Sequence, residues 1–271
     1  MKKKFVFAAL FAICAAVSAA LPPAITLKCG ELDFKLTQYQ SWNLGGIDFN
    51  GVNVCRSASY FGNVAMYVLN GKDGWIGSGH KDNNKIGETD VQVKFFADGV
   101  EFLPDKKRRE VKEFELKKSS VLHHLKIEYT LKIKDNTLYE HAKITAVQDT
   151  YVKCLYLFMH PMCPVFTSAK FDYGSGKVET VDFTGKRFQI KKAGTPLAVY
   201  FAPEKQIVAD SQVKAVKPFV NGADDKFDIW NRGDKIDRKL YFMALRKRQL
   251  KAGDNAEYEC VTKFSLDKKA E

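Results

Sequence analysis

The chain has 271 residues, 45% of them apolar, and 43 basic against 32 acidic side chains give it a formal charge of +11. That length and apolar content suffice for one large core and do not demand two domains. The basic excess is interspersed rather than blocked, which argues against nucleic acid as a partner and leaves acidic polysaccharides, anionic head groups or plain solubility charge as its uses.

In chain order, Met1-Lys2-Lys3-Lys4, the apolar run Phe5 to Val17 and the small residues Ser18-Ala19-Ala20 read as a secretory signal peptide over residues 1–20. The apolar stretch is short for a bilayer span, and Pro22 and Pro23 break a helix just past the cleavage point; an uncleaved anchor is the alternative. The mature chain, 21–271, is therefore read as one domain, secreted or periplasmic, without a stable membrane span. Cys14 leaves with the leader. Cys29, Cys55, Cys154, Cys163 and Cys260 remain, an odd number, so at least one thiol is unpaired or paired to another molecule. Cys154 with Cys163, Cys29 with Cys55, and buried free thiols all stay open.

Beyond the leader no helical period is found, whereas alternating β-branched and aromatic segments recur to the end. Leu32 to Thr37 alternates cleanly. Ile47 to Phe49 and Val52 to Val54 flank Asn50-Gly51, a two-residue hairpin signal, and Val91 to Phe96 and Val100 to Leu103 flank Ala97-Asp98-Gly99. Val121 to Ile133 and Thr137 to Val147 read as two long strands joined at Asp135-Asn136. Tyr151 to His160 is apolar on both faces, as for a central strand covered on both sides. Further strands are expected at 177–183, 187–192, 197–201, 226–230, 239–246 and 256–266. The fold class is all-β, a large antiparallel sandwich.

Candidate site residues emerge from this layout. Gly74 to Asp82 reads as a glycine-rich loop holding Trp75, His80, Lys81 and Asp82. Sugar rings stack on aromatic faces while their hydroxyls bond such polar groups, although the glycines serve equally as turn formers. Tyr139, His141, Lys143 and Thr145 form a polar row beside Lys126, Glu128, Thr130 and Lys132, which lines a binding face or a solvated outer sheet. His123 falls on the apolar side of its strand. His160 closes an apolar strand before Pro161 and is read as a ring at a rim, able to act as acid, base or hydrogen-bond partner, or else as a satisfied strand-end histidine. Trp230 and Arg232 sit at a strand-to-turn junction. Lys106-Lys107-Arg108-Arg109 is a solvated loop or a contact for an acidic polymer. His160 with Cys154 and Cys163 makes no zinc motif, and neither metal nor cofactor is expected.

Three stretches, Gly45-Gly46-Ile47-Asp48-Phe49-Asn50-Gly51, Leu155-Tyr156-Leu157-Phe158-Met159-His160-Pro161 and Leu250-Lys251-Ala252-Gly253-Asp254, resemble the β-supersandwich of galactose-mutarotase-like proteins and related polysaccharide lyase domains. In mutarotases the middle strand ends in an Asn-His pair. Here Met159 stands before His160, so His160 alone is carried over as a sugar-site residue. The resemblance implies an exported carbohydrate-binding or carbohydrate-active protein, either an aldose-epimerase-like isomerase or a polysaccharide lyase. Its partner would be a sugar or an anionic polysaccharide. His80, His160, His141 and Tyr139 are the candidate catalytic residues, and Trp75, Lys81, Asp82, Trp230 and Arg232 the candidate substrate contacts. A non-enzymatic envelope or adhesion sandwich is the alternative.

Overall fold

The computed structural model describes residues 21–56, 62–69, 71–78, 87–105, 107–172, 178–183, 188–193, 197–219, 226–231 and 238–267. Among them there is no α-helix; Gln38–Gln40 and Pro203–Lys205 are single 3-10 turns. The strands in chain order are β1 (Ala24–Cys29), β2 (Leu32–Thr37), β3 (Asn43–Phe49), β4 (Val52–Cys55), β5 (Gly62–Leu69), β6 (Lys72–Gly77) and β7 (Thr89–Ala97). Next come β8 (Val100–Phe102), β9 (Arg109–Val111), β10 (Glu113–Leu122), β11 (Leu125–Lys134), β12 (Thr137–Ala146), β13 (Thr150–Met162) and β14 (Ser168–Asp172). The last are β15 (Val178–Asp182), β16 (Phe188–Ala193), β17 (Leu197–Ala202), β18 (Ile207–Lys217), β19 (Lys226–Asn231), β20 (Arg238–Leu250) and β21 (Asn255–Leu266).

These strands build two sheets. The first runs β16-β19-β20-β13-β4-β3-β2-β1-β9, with β5 added on β13 and β6 on β5; the second runs β15-β14-β17-β18-β21-β12-β11-β10-β7-β8. Pairing is antiparallel apart from β1 with β9. Alternation explains the layering: Leu32, Phe34 and Leu36 of β2 and Leu125, Ile127, Tyr129, Leu131 and Ile133 of β11 are buried between the sheets, while their neighbours face out. Aromatic pairs tie the layers together, Phe34 with Phe114 at 5.2 Å, Trp42 with Phe95 at 5.2 Å and Phe242 with Tyr258 at 5.2 Å between ring centroids. Each contributes about 1.5–3 kcal/mol by burial and a further ~0.5–1.5 kcal/mol from ring geometry.

Turn chemistry sets the hairpins. Asn50 and Gly51 both have positive φ, 49° and 74°, between β3 and β4, and Asp98 and Gly99 do the same, at 51° and 80°, between β7 and β8. The expected strand from Val121 to Ile133 is instead broken in two. His123 (φ 58°) and His124 make the hairpin turn between β10 and β11, with Leu122 opposite Leu125, because the polar pair interrupts two apolar alternations. Residues 72–77 likewise form strand β6 rather than a loop, so Trp75 is a strand residue. The strands β1, β5, β9, β10, β14 and β18 were not expected, and Arg109, read as part of a solvated loop, begins β9. The central strand is as expected: β13 is buried on both faces from Leu155 to Met162.

A β-bulge in β13 decides which way His160 points. The register of β13 against β20 shifts between Leu157 and His160, and Phe158 has φ 50°. Leu155, Leu157 and Phe158 all belong to the main core, while Cys154, Tyr156 and Met159 face away from the second sheet in a smaller apolar cluster. Simple alternation after Leu155 and Leu157 would turn His160 outward. The extra residue turns it inward, where it is 2% exposed.

Candidate functional site

The outward face of the first sheet carries a polar groove of about 420 Å³. Strands β1 to β4 build it, because the partners of their core residues point outward in register: Lys28, Asp33, Asp48 and Asn53 lie side by side across the sheet, as do Thr26, Lys35 and Gly46. Asp33, Lys35, Gly46, Asp48, Asn53 and Arg56 line it. Its floor lacks side chains at Gly45 and Gly46. Gly45 is the extra residue of β3 at a register shift opposite Lys35 and Leu36, and a Cβ there would lie 2.7 Å from Thr37 Cγ2, so a side chain would force Thr37 to shift.

Two carboxylates directly opposite on neighbouring strands repel one another. Asp33 is offset by an ion pair with Arg108, and Asp48 Oδ1 accepts from Asn53 Nδ2 at 2.6 Å. Asn53 is itself fixed, its Oδ1 accepting from the Cys163 thiol at 2.8 Å. The groove thus holds two oriented carboxylates, a carboxamide and the cations of Lys35 and Arg56, a set suited to hydroxyl and anionic groups of a small ligand.

Beside it on the same face, Trp75 of β6 stacks on Tyr156 of β13 at 5.8 Å and 26°, and Tyr156 meets Tyr241 of β20 edge-on at 4.5 Å. Met66, Met159 and Met243 complete this cluster. Trp75 is half-buried and the tyrosines buried.

Behind β13, inside the sandwich, His160 Nε2 lies 2.6 Å from Glu140 Oε2, and the Tyr129 hydroxyl donates to Glu140 Oε1 at 2.6 Å. Burial and the Glu140 carboxylate push the Tyr129 hydroxyl well above its ordinary pKa, so it stays a donor. The expectation of His160 at a rim is therefore corrected: the bulge seats it in the core, where no ligand in the groove reaches its ring.

Tyr139 and His141 do form the expected polar row, with Lys132 opposite Tyr139 and Thr130 opposite His141. That row is the outward face of the second sheet, on the far side of the molecule from Trp75. There His141 Nε2 is 2.8 Å from Glu257, and Lys94, Lys117 and Lys143 are matched by Glu101, Glu115 and Glu128. Trp75, His160 and the row of Tyr139 and His141 lie at three different levels of the sandwich and do not form one site. His80, Lys81, Asp82 and Arg232 lie outside the described residues, and Trp230 is on β19 opposite Lys239. Sequence reasoning missed Asp33, Lys35, Asp48, Asn53 and Arg56. The signal was present in the clean alternation of Leu32 to Thr37, which places Asp33 and Lys35 on one outward face beside Gly45-Gly46.

A two-layer antiparallel sandwich with a ligand-sized groove on one outward face is thus the class of protein defined here. No family model and no curated protein matches the chain. Solved structures do. A protein of Synechocystis sp. PCC 6803 matches with a TM-score of 0.59 at 9% identity, covering 91% of this chain and 97% of that one. A putative aldose 1-epimerase of Escherichia coli K12 matches at 0.55 and 9% identity, over 90% and 99% of the two chains. A galactose mutarotase-like protein of Clostridium acetobutylicum matches at 0.51 and 10% identity, over 90% and 95%. The fold is that of the galactose mutarotase-like β-sandwiches, as the stretches at 45–51, 155–161 and 250–254 imply.

Proposed function

We propose that the mature chain, exported after loss of residues 1–20, binds carbohydrate in the groove of β1 to β4. The observation that carries this reading is the row Asp33, Asp48 and Asn53 with Lys35 and Arg56 around a side-chain-free glycine floor. Carboxylates and a carboxamide accept and donate to neighbouring hydroxyls, the glycines let a flat ring approach the backbone, and the cations suit a uronate carboxylate. The names of solved structures with the same fold, a putative aldose 1-epimerase and a galactose mutarotase-like protein, support a sugar as the ligand class.

Calorimetric titration of the chain from Leu21 onward with galactose, glucose and glucuronate tests this. Binding of one or more of them is expected, with Asp48→Ala and Arg56→Ala each weakening it by at least about 10-fold, or ~1.4 kcal/mol, at unchanged far-ultraviolet circular dichroism. A folded wild type that binds none of the sugars, or variants that bind as well as wild type, would sink the proposal. Preference for glucuronate that fades with added salt would assign Lys35 and Arg56 to the carboxylate.

A further inference from the structure

Three side chains of metal-binding type meet inside the sandwich, apart from the groove: Glu140 on β12, His160 on β13 and Cys260 on β21. One donor atom of each lies within 4.8 Å of the other two, and all three residues are buried. Glu140 and Cys260 are register partners across β12 and β21, and the bulge in β13 turns His160 toward them. The groups behind are placed as outer-shell partners of a metal are. The Tyr129 hydroxyl occupies Glu140 Oε1 and leaves Oε2 facing His160. Thr262 Oγ1 stands 3.4 Å from His160 Nδ1 and is held in turn by Ser211 Oγ at 2.9 Å, so the ring is supported from Nδ1 and presents Nε2.

We propose that Glu140, His160 and Cys260 form a binding site for a divalent first-row transition ion of borderline softness, Zn²⁺ above all. One carboxylate oxygen, one imidazole nitrogen and one sulfur are the donors that zinc takes, whereas calcium and magnesium require oxygen shells. Carboxylate and thiolate balance a dication, so the filled site has no net charge in a dry interior. On binding, the Cys260 thiol gives up its proton to solvent, and the imidazole stays neutral, coordinating through an unprotonated Nε2 with its one proton on Nδ1 toward Thr262 Oγ1. The 2.6 Å separation of Glu140 Oε2 and His160 Nε2 then opens as both turn to the ion. Because β13 belongs to the first sheet and β12 and β21 to the second, the ion ties the layers together.

The test uses the full mature chain, analysed for metal as purified and again after refolding with Co²⁺ as the spectroscopic probe. Stoichiometric retained metal is expected, with thiolate-to-cobalt charge-transfer absorption in the refolded sample. Both should vanish in Cys260→Ser and His160→Gln, and a chelator should lower the melting temperature of wild type but not of the variants. Folded wild-type protein that retains no metal in either preparation overturns the proposal. So does retention equal in wild type and in variants whose circular dichroism matches it. Should the variants fail to fold, the wild-type metal content and cobalt spectrum decide the matter alone.

Discussion

Lys118 is a lysine with no exposed side chain. Its Nζ lies 2.8 Å from Glu88 Oε2, both side chains at 0% exposure, donates to the Ser41 carbonyl at 3.2 Å and sits 5.3 Å from the centre of the Tyr129 ring. Ser78 donates to the other oxygen of Glu88. Such a pair holds mainly because each ion would be stranded without the other. Lys118→Met should therefore cost about 3–5 kcal/mol in urea unfolding, whereas Lys118→Met with Glu88→Gln should recover much of the loss. A double variant as unstable as the single one would show that the two charges are not coupled. Alternation along β10 puts Lys118 on the inward side with Phe114, Leu116, Ser120 and Leu122, but nothing local shows what its charge meets there. Burial of a charge is decided by what stands opposite, here Ser41 and Glu88 from elsewhere in the chain.

At the scale of elements, turns were legible and bulges were not. Asn50-Gly51 was readable because the positive φ of a two-residue hairpin leaves few residue choices. A Cβ on Gly51, at φ 74°, would meet nothing within 4 Å, so Gly51→Ala carries only the backbone cost, about 1 kcal/mol. Gly77→Ala should cost far more, since its Cβ would lie 2.5 Å from the Asn63 carbonyl oxygen. Comparing the two denaturation midpoints checks this order, and equal losses would contradict it. The bulge at Phe158 has no comparable signature, because Leu157, Phe158 and Met159 are all apolar and satisfy either register. That single extra residue moved His160 from an expected rim to the core. His123 and His124 show the converse: inside what reads as one long alternation they form a turn, stacked at 3.6 Å, and burial together with His124 lowers the pKa of His123.

For the molecule as a whole, every cysteine of the described residues is buried and none is in a disulfide, Cys29, Cys55 and Cys260 in the main core and Cys154 in the outward-facing cluster. Burial and the nearby carboxylates of Asp135, Asp98 and Glu113 raise the Cys29 thiol to about 11, and burial holds Cys55 and Cys260 well above the ordinary value. Since the thiolate is the reactive form, native protein at pH 8 should resist iodoacetamide, with all five thiols modified after denaturation, as read by intact mass. Rapid native modification of Cys29, Cys55 or Cys260 would show that the layers open readily. Local chemistry alone determined that this chain is all-β, that hairpins turn at Asn50-Gly51, Asp98-Gly99 and Asp135-Asn136, and that β13 is a central strand, because alternation and turn preference act between near neighbours. Only the tertiary structure decided that Asp33, Asp48 and Arg56 share a groove and that His160 meets Glu140 and Cys260. It also decided that Trp75 and His141 stand on opposite faces of the molecule. Those outcomes depend on strand order, register and one bulge, and side chains far apart in the chain are brought together by pairings that no short stretch of sequence encodes.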